Sequence, residues 1–180
     1  VEECHRERED RPGDATNYQI LHDLGRGSFG VVMKGWDRRN QRYVAIKRIV
    51  RKDFPTAALH TMAMKEIRII KLLSHPNVCK FHDYYLIRDV LHVVTEYCDL
   101  GDLQQYIDAR RSSTPLLSPE EIVSFTHDIL AGIEYLHVQK HFAHRDIKPS
   151  NMLLTHSLLS KLPVVKVADL GLAKRDNYLD

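Results

Sequence analysis

The sequence predicts an α+β fold, and three observations carry that prediction. Short apolar and β-branched runs fill Tyr18 to Val50 and are broken at Gly25-Arg-Gly27 and at Asp37-Arg-Arg-Asn40, which reads as three antiparallel strands. Two more such runs, Tyr84 to Ile87 and Leu91 to Thr95, are joined through Arg88-Asp89 and add two strands. Ser118 and Glu121 then have the spacing of a capping box, with Pro119 at the first helical position, so a long helix starts there.

Taken in order, Val1 to Asn17 is rich in Glu, Arg and Asp with almost no apolar residue; it cannot bury enough surface to offset its ordering entropy and is expected to be a flexible charged tail. After the three strands, Leu59, Met62, Ile69, Ile70 and Leu73 recur near helical spacing until His75-Pro-Asn77 ends the run, which predicts one helix over Ala57 to Leu73. A polar link around Glu96 to Asp99 follows the fifth strand. The capped helix carries Ile122, Phe125, Ile129, Ile133 and Leu136 at steps of three and four, which predicts one buried face.

Composition bounds the function. A chain of 180 residues, 43% apolar and 28% charged, can bury an ordinary globular core. A formal charge of +2 provides no broad basic face for nucleic acid, and no segment reaches the roughly 18 apolar residues of a membrane helix. Cys4, Cys79 and Cys98 are odd in number and scattered, which argues against a disulfide framework, and no secretory apolar stretch opens the chain. A cytoplasmic location is the expectation. His137, His141 and His144 lie close in sequence, but their contexts differ and a zinc site is not expected.

The first candidate motif is Gly25-Arg-Gly-Ser-Phe-Gly30. Its Gly-x-Gly-x-x-Gly spacing also occurs in dinucleotide-binding folds, but there the third glycine opens a helix, whereas Gly30 leads into the β-prone run Val31 to Trp36. A glycine-rich hairpin fits better. Such a loop brings backbone N–H groups close to phosphate oxygens, with Phe29 placed to close its tip. Val44-Ala-Ile-Lys47 next sets an ammonium at the end of a strand, and Glu66 on the following helix is the candidate partner for it.

These segments, with His144-Arg-Asp-Ile-Lys-Pro-Ser-Asn151 and Asp169-Leu-Gly171, resemble the protein kinase family in order and spacing. The resemblance runs from Tyr18 to Lys174. It implies a bilobal fold with a complete small β-rich lobe over residues 18–97 and an incomplete helical lobe over residues 98–180 ending in the activation segment. It also implies ATP and Mg²⁺ as cofactors and Ser or Thr hydroxyls of proteins as substrates, the Ser/Thr class being favoured by Lys148 two places after Asp146.

The same resemblance assigns roles. Asp146 is the catalytic base, Lys148 approaches the transferred phosphate, and Lys47, aligned by Glu66, meets the α- and β-phosphates. Gly25, Arg26, Gly27, Ser28, Phe29 and Gly30 cover the nucleotide; Val32, Ala45 and Leu153 sandwich the base; Thr95 guards the back of its pocket. The backbone of Glu96 to Cys98 hydrogen-bonds the base edge, with Cys98 a rim thiol and not a nucleophile. Asn151 and Asp169 are the metal ligands, oxygen donors suited to a hard cation. His144 and Arg145 organise the loop.

Two departures qualify this picture. Leu170 stands where most kinases carry Phe, which retains apolarity without aromatic shape. The stretch Thr155 to Pro163 is longer than the usual hairpin there; with Tyr97-Cys-Asp-Leu-Gly-Asp-Leu103 it is similar to the autophagy-initiating, unc-51-like kinases, although NIMA-like and other Ser/Thr groups share these features. No Ala-Pro-Glu segment follows Asp169. That predicts a C-terminally truncated domain whose apolar helix faces depend on a regulatory partner or another chain, and it keeps open a noncatalytic nucleotide-binding or interaction module as the alternative.

Overall fold

The computed structural model describes residues 12–27, 30–49, 67–68, 70–88, 90–111, 117–157, 160–170 and 174–175. They divide into two compact units, one within Val1–Leu72 and Phe81–Tyr97, the other within Leu73–Lys80 and Cys98–Asp180.

The first unit is a five-stranded antiparallel sheet. Its strands are β1 (Tyr18–Gly27), β2 (Gly30–Asp37), β3 (Arg42–Ile49), β4 (Phe81–Ile87) and β5 (Val90–Glu96), in the order β1-β2-β3-β5-β4. All five strands expected from the sequence are present. Because side chains alternate between faces, the sheet makes two apolar clusters. Met33, Val44, Ile46, Tyr85 and Val94 bury one face, with Tyr18 stacked on Tyr85 at 5.3 Å. Ile67, Tyr84, Leu91 and Val93 bury the other, with Ile49, Phe81 and Leu86 packed against them.

The β2–β3 turn is closed by Asp37, which is almost fully buried. Its carboxylate accepts the N–H groups of Arg39 and Asn40, both at 3.1 Å, the Asn40 side-chain amide at 2.7 Å and Arg42 Nε at 3.3 Å. Burial pushes this carboxyl up, but the hydrogen bonds from Asn40 and Arg42 outweigh it and hold the group below its ordinary value. Of the segment expected to be a tail, residues 12–17 are described. Asp14 caps a short 3₁₀ turn over Ala15–Asn17, and Gly13 N–H donates to the Tyr84 carbonyl at 2.7 Å. The expected helix over residues 57–73 lies mostly outside the described residues; within it, Lys71 N–H donates to the Ile67 carbonyl at 3.0 Å, as in a last helical turn.

The second unit contains helices α1 (Leu103–Asp108) and α2 (Pro119–Glu134), the latter continued by a π-helical turn over Tyr135–Gln139. Two short pairs accompany them, β6 (Phe142–Ala143) with β9 (Lys174–Arg175) and β7 (Met152–Thr155) with β8 (Val164–Val167). The capping box of α2 is formed as expected: Glu121 N–H donates to Ser118 Oγ at 3.1 Å and Ser118 N–H to Glu121 Oε2 at 2.8 Å.

The buried face of α2 is rotated from the expected one. Phe125 and Leu136 are buried, but Ile122 is 51% exposed, and Glu121 and Gly132 turn inward instead. Glu121 is recruited by α1 and the residues after it, accepting Tyr106 Oη at 2.7 Å and Arg110 Nη1 at 2.6 Å. Gly132 faces β8 and the Asn77 carbonyl. Asn77 in turn ties the Leu73–Lys80 segment to β8, its amide donating to the Val165 carbonyl at 3.0 Å and its carbonyl accepting Val167 N–H at 2.8 Å.

Two carboxylates of this unit are held at about 2, Glu121 and Asp99. In each, burial raises the pKa and hydrogen bonds overcome it: from Tyr106, Arg110 and Ser118 on Glu121, from His156 and Thr155 on Asp99. A depressed folded-state pKa stabilises the fold above the unfolded value and loses that contribution as pH falls through the folded one. Stability is therefore expected to drop between about pH 4.5 and pH 2. Glu121→Gln should flatten that acid slope in a denaturant titration series and cost about 2 kcal/mol at neutral pH.

Candidate active site

In the first unit the register gathers the candidate nucleotide residues on one sheet face. Across β2, β3 and β5, Val32 pairs with Lys47 and Lys47 with Val93; one step along, Lys34 pairs with Ala45 and Ala45 with Thr95. Directly paired residues share a face, so Val32, Ala45, Lys47 and Thr95 lie together. Gly25 pairs with Val32, Arg26 with Val31 and Gly27 with Gly30, so the glycine-rich segment is a hairpin between β1 and β2. Gly30 has φ +143° and a Cβ there would collide with the Arg48 carbonyl, so only glycine fits. Ser28, Phe29 and Glu66 lie outside the described residues. Glu96, half-buried, ends β5 opposite Val44.

In the second unit Cys98 is buried, and the segment after it pairs with β7: Leu100 N–H donates to the Leu154 carbonyl at 3.0 Å, Leu154 N–H to the Gly101 carbonyl at 2.8 Å. Leu153, half-buried, bridges to Asp102 there.

The loop from His144 to Asn151 is held by two buried side chains, His144 and Asn151. Asp146 N–H donates to His144 Nδ1 at 3.2 Å, which leaves the ring proton on Nε2 to donate to the Ala168 carbonyl at 2.9 Å. One imidazole thus fixes the two backbone groups next to Arg145 and Asp169, which have left-handed φ values of +66° and +58°. Such conformations are strained for non-glycine residues and persist where surrounding bonds impose them. Ala168 is held from its other side too, its N–H donating to the Asn151 carbonyl at 2.9 Å.

The Asn151 amide nitrogen donates to the Asp146 carbonyl at 2.7 Å and to Asp146 Oδ2 at 2.8 Å, and Lys148 Nζ meets the same oxygen at 2.8 Å. The Lys148 hydrogen bond first, then that from Asn151, hold the Asp146 carboxyl below its ordinary value. Asp146, Lys148 and Asn151, and through Ala168 also Asp169, are brought together. Leu170 is buried beside exposed Asp169.

With its amide nitrogen committed to Asp146, Asn151 presents its Oδ1 as an acceptor, and Asp169, which follows the Ala168 whose N–H bonds the Asn151 carbonyl, adds a carboxylate. Among the described residues no group of three or more His, Cys, Asp and Glu side chains is gathered for a metal. One amide oxygen and one carboxylate suit Mg²⁺, which keeps several waters and takes phosphate oxygens from its substrate. They do not suit a closed zinc site.

Sequence reasoning missed three features. The Asp99 carboxylate accepts Thr155 Oγ1 at 2.9 Å, His156 N–H at 3.0 Å and His156 Nδ1 at 2.6 Å, which anchors the long β7–β8 connection. The left-handed residues carried no sequence signal. Nor did a cluster of Lys34 with Tyr43 and Tyr97, since it needs the strand register to appear.

A five-stranded antiparallel sheet with a glycine hairpin and a strand lysine, together with a helical unit bearing a His-Arg-Asp loop, defines a protein kinase domain. The chain belongs to the protein kinase family, whose domain model matches residues 18–178. It is 35% identical to serine/threonine-protein kinase ULK3 of Xenopus laevis, over 91% of the chain and 33% of that protein. It is 32% identical to serine/threonine-protein kinase ATG1 of Komagataella pastoris (88% and 24%) and 36% identical to cyclin-dependent kinase 14 of Xenopus laevis (90% and 34%). The chain spans about a quarter to a third of the length of these relatives.

Proposed function

We propose that this chain carries the nucleotide-binding and catalytic residues of a Ser/Thr protein kinase that transfers the γ-phosphate of ATP to a protein hydroxyl. The observation that carries the reading is the Asp146–Asn151–Lys148 cluster joined through His144 and Ala168 to Asp169. Asp146, kept ionised by Lys148 and Asn151, orients the substrate hydroxyl and takes its proton as the oxygen bonds to phosphorus and the bond to the ADP oxygen breaks. Lys148 stands ready to share its charge with the transferred phosphoryl group. Mg²⁺, when bound, neutralises charge on the β- and γ-phosphates, and Asn151 and Asp169 are the residues that would hold it.

Lys47, on the face with Val32, Ala45 and Thr95, is assigned to the α- and β-phosphates, and that face with Leu153 to the base. Glu66 is its proposed ion-pair partner. Protein substrates, a regulatory partner protein, a cytoplasmic setting and a role in autophagy signalling complete the proposal; the last is supported by the similarity to ULK3 and ATG1.

The test is a titration of the purified chain with Mg²⁺-ATP, followed by phosphotransfer to Ser- and Thr-containing peptides. Lys47→Met should weaken nucleotide binding about 10-fold or more, the loss of one charged phosphate contact. Binding without transfer would favour the noncatalytic module. Binding NADH in preference to ATP would replace the kinase reading with a dinucleotide one.

A further inference from the structure

We infer that Lys34 is a positioning residue for nucleotide binding: with Tyr43 it holds Tyr97, and Tyr97 sets the backbone of Glu96 to Cys98 to which the base is proposed to bind. The inference rests on the nucleotide site proposed above and adds to it three residues, Lys34 and Tyr43 on the sheet and Tyr97 just past the end of β5.

The register places Lys34 in one row with Ala45 and Thr95. A lysine there would set a positive charge on the face assigned to the base. Its ammonium is instead drawn onto two aromatic rings, 4.2 Å from the centroid of Tyr43 and 4.3 Å from that of Tyr97. Tyr43 meets Tyr97 edge-on at 6.3 Å and is itself buttressed edge-on by Trp36 at 5.0 Å. Tyr97 needs such a hold, because the β3–β5 ladder ends at the Val44–Glu96 pair, one residue before it. Beyond that pair the sheet no longer dictates the backbone, and side-chain contacts do. A cation shared between two ring faces provides that restraint, since it attracts both, and Tyr97 is half-buried, so water screens the attraction less than at an open surface.

The arrangement thus restrains the peptide groups on either side of Tyr97. Preorganising those groups strengthens binding by reducing what must be ordered when the base arrives.

The experiment is calorimetric titration of the chain with Mg²⁺-ATP and Mg²⁺-ADP, with thermal unfolding recorded for every variant. Lys34→Met, which keeps the stem and removes the charge, should raise both dissociation constants about fivefold, and Lys34→Arg, which keeps the cation, should stay within about twofold. Tyr43→Leu removes one ring from the exposed side and should give a smaller loss of the same kind. In a Tyr97→Leu background Lys34→Met should add nothing, because the residue through which it acts is gone. Unchanged affinity in Lys34→Met, whether or not its melting temperature falls, overturns the inference, as does an equal loss in the Tyr97→Leu background. Failure of the unmodified chain to bind any nucleotide overturns the site reading itself and this inference with it, and is distinguished by appearing before any substitution is made.

Discussion

Asp146→Asn is expected to lower phosphotransfer by about 10² to 10³ while Mg²⁺-ATP binds within about threefold of the unmodified affinity. Asp146 Oδ2 accepts from both Lys148 and Asn151, each at 2.8 Å, so the carboxylate is fixed in place and ionised. An asparagine oxygen can still accept those hydrogen bonds, so the loop should keep its shape. What disappears is the negative charge, and with it the group proposed to align a hydroxyl and receive its proton. The depressed pKa makes Asp146 a weak base, which suits a transition state in which little proton transfer has occurred. Single-turnover rates and nucleotide affinity, measured on the same preparation, separate the two effects. Transfer at the unmodified rate would remove Asp146 from its role, and an equal loss of nucleotide affinity would assign the effect to loop collapse.

The second large effect belongs to stability. Gly132→Val is expected to destabilise the second unit by about 3 kcal/mol or more, and Gly132→Ala by about 1 to 2 kcal/mol. A Cβ at this position would lie 2.6 Å from the Asn77 carbonyl oxygen and 2.8 Å from Val167 Cγ2. The oxygen is backbone and already accepts Val167 N–H, so it cannot retreat without breaking that bond. Alanine in a helix interior ordinarily gains about 1 kcal/mol over glycine; here the collision reverses the sign. Chemical denaturation followed by circular dichroism would measure it. A Gly132→Ala chain more stable than the unmodified one would show that α2 can move off β8 at little cost.

How much of this was legible before folding depends on which physics each feature uses. The strands and the start of α2 follow from local signals: alternation in Val31 to Trp36, turn residues at Asp37 to Asn40, and the reciprocal Ser118–Glu121 cap. The buried face of α2 was misread because apolar periodicity counted Ile122 and could not count Glu121, whose burial depends on Tyr106 and Arg110 many residues away. Asp146, Lys148 and Asn151 were found together since they are neighbours in sequence. The Asp99–Thr155–His156 contact spans residues more than fifty apart, and no periodicity encodes it. Lys34 carries no local signal, and only the strand pairing places it opposite Ala45.

The His144 ring has a mechanical consequence. It joins the peptide unit at Asp146 to the one before Asp169, while β6, immediately ahead of it, pairs with β9 beyond Asp169 through Phe142–Arg175 and Ala143–Lys174. The two stretches are therefore stitched at two levels, like adjacent rungs of a ladder. Displacing residues 174–175 is thus expected to disturb the backbone at Asp146 through β6 and the His144 ring, without any contact to Asp146 itself.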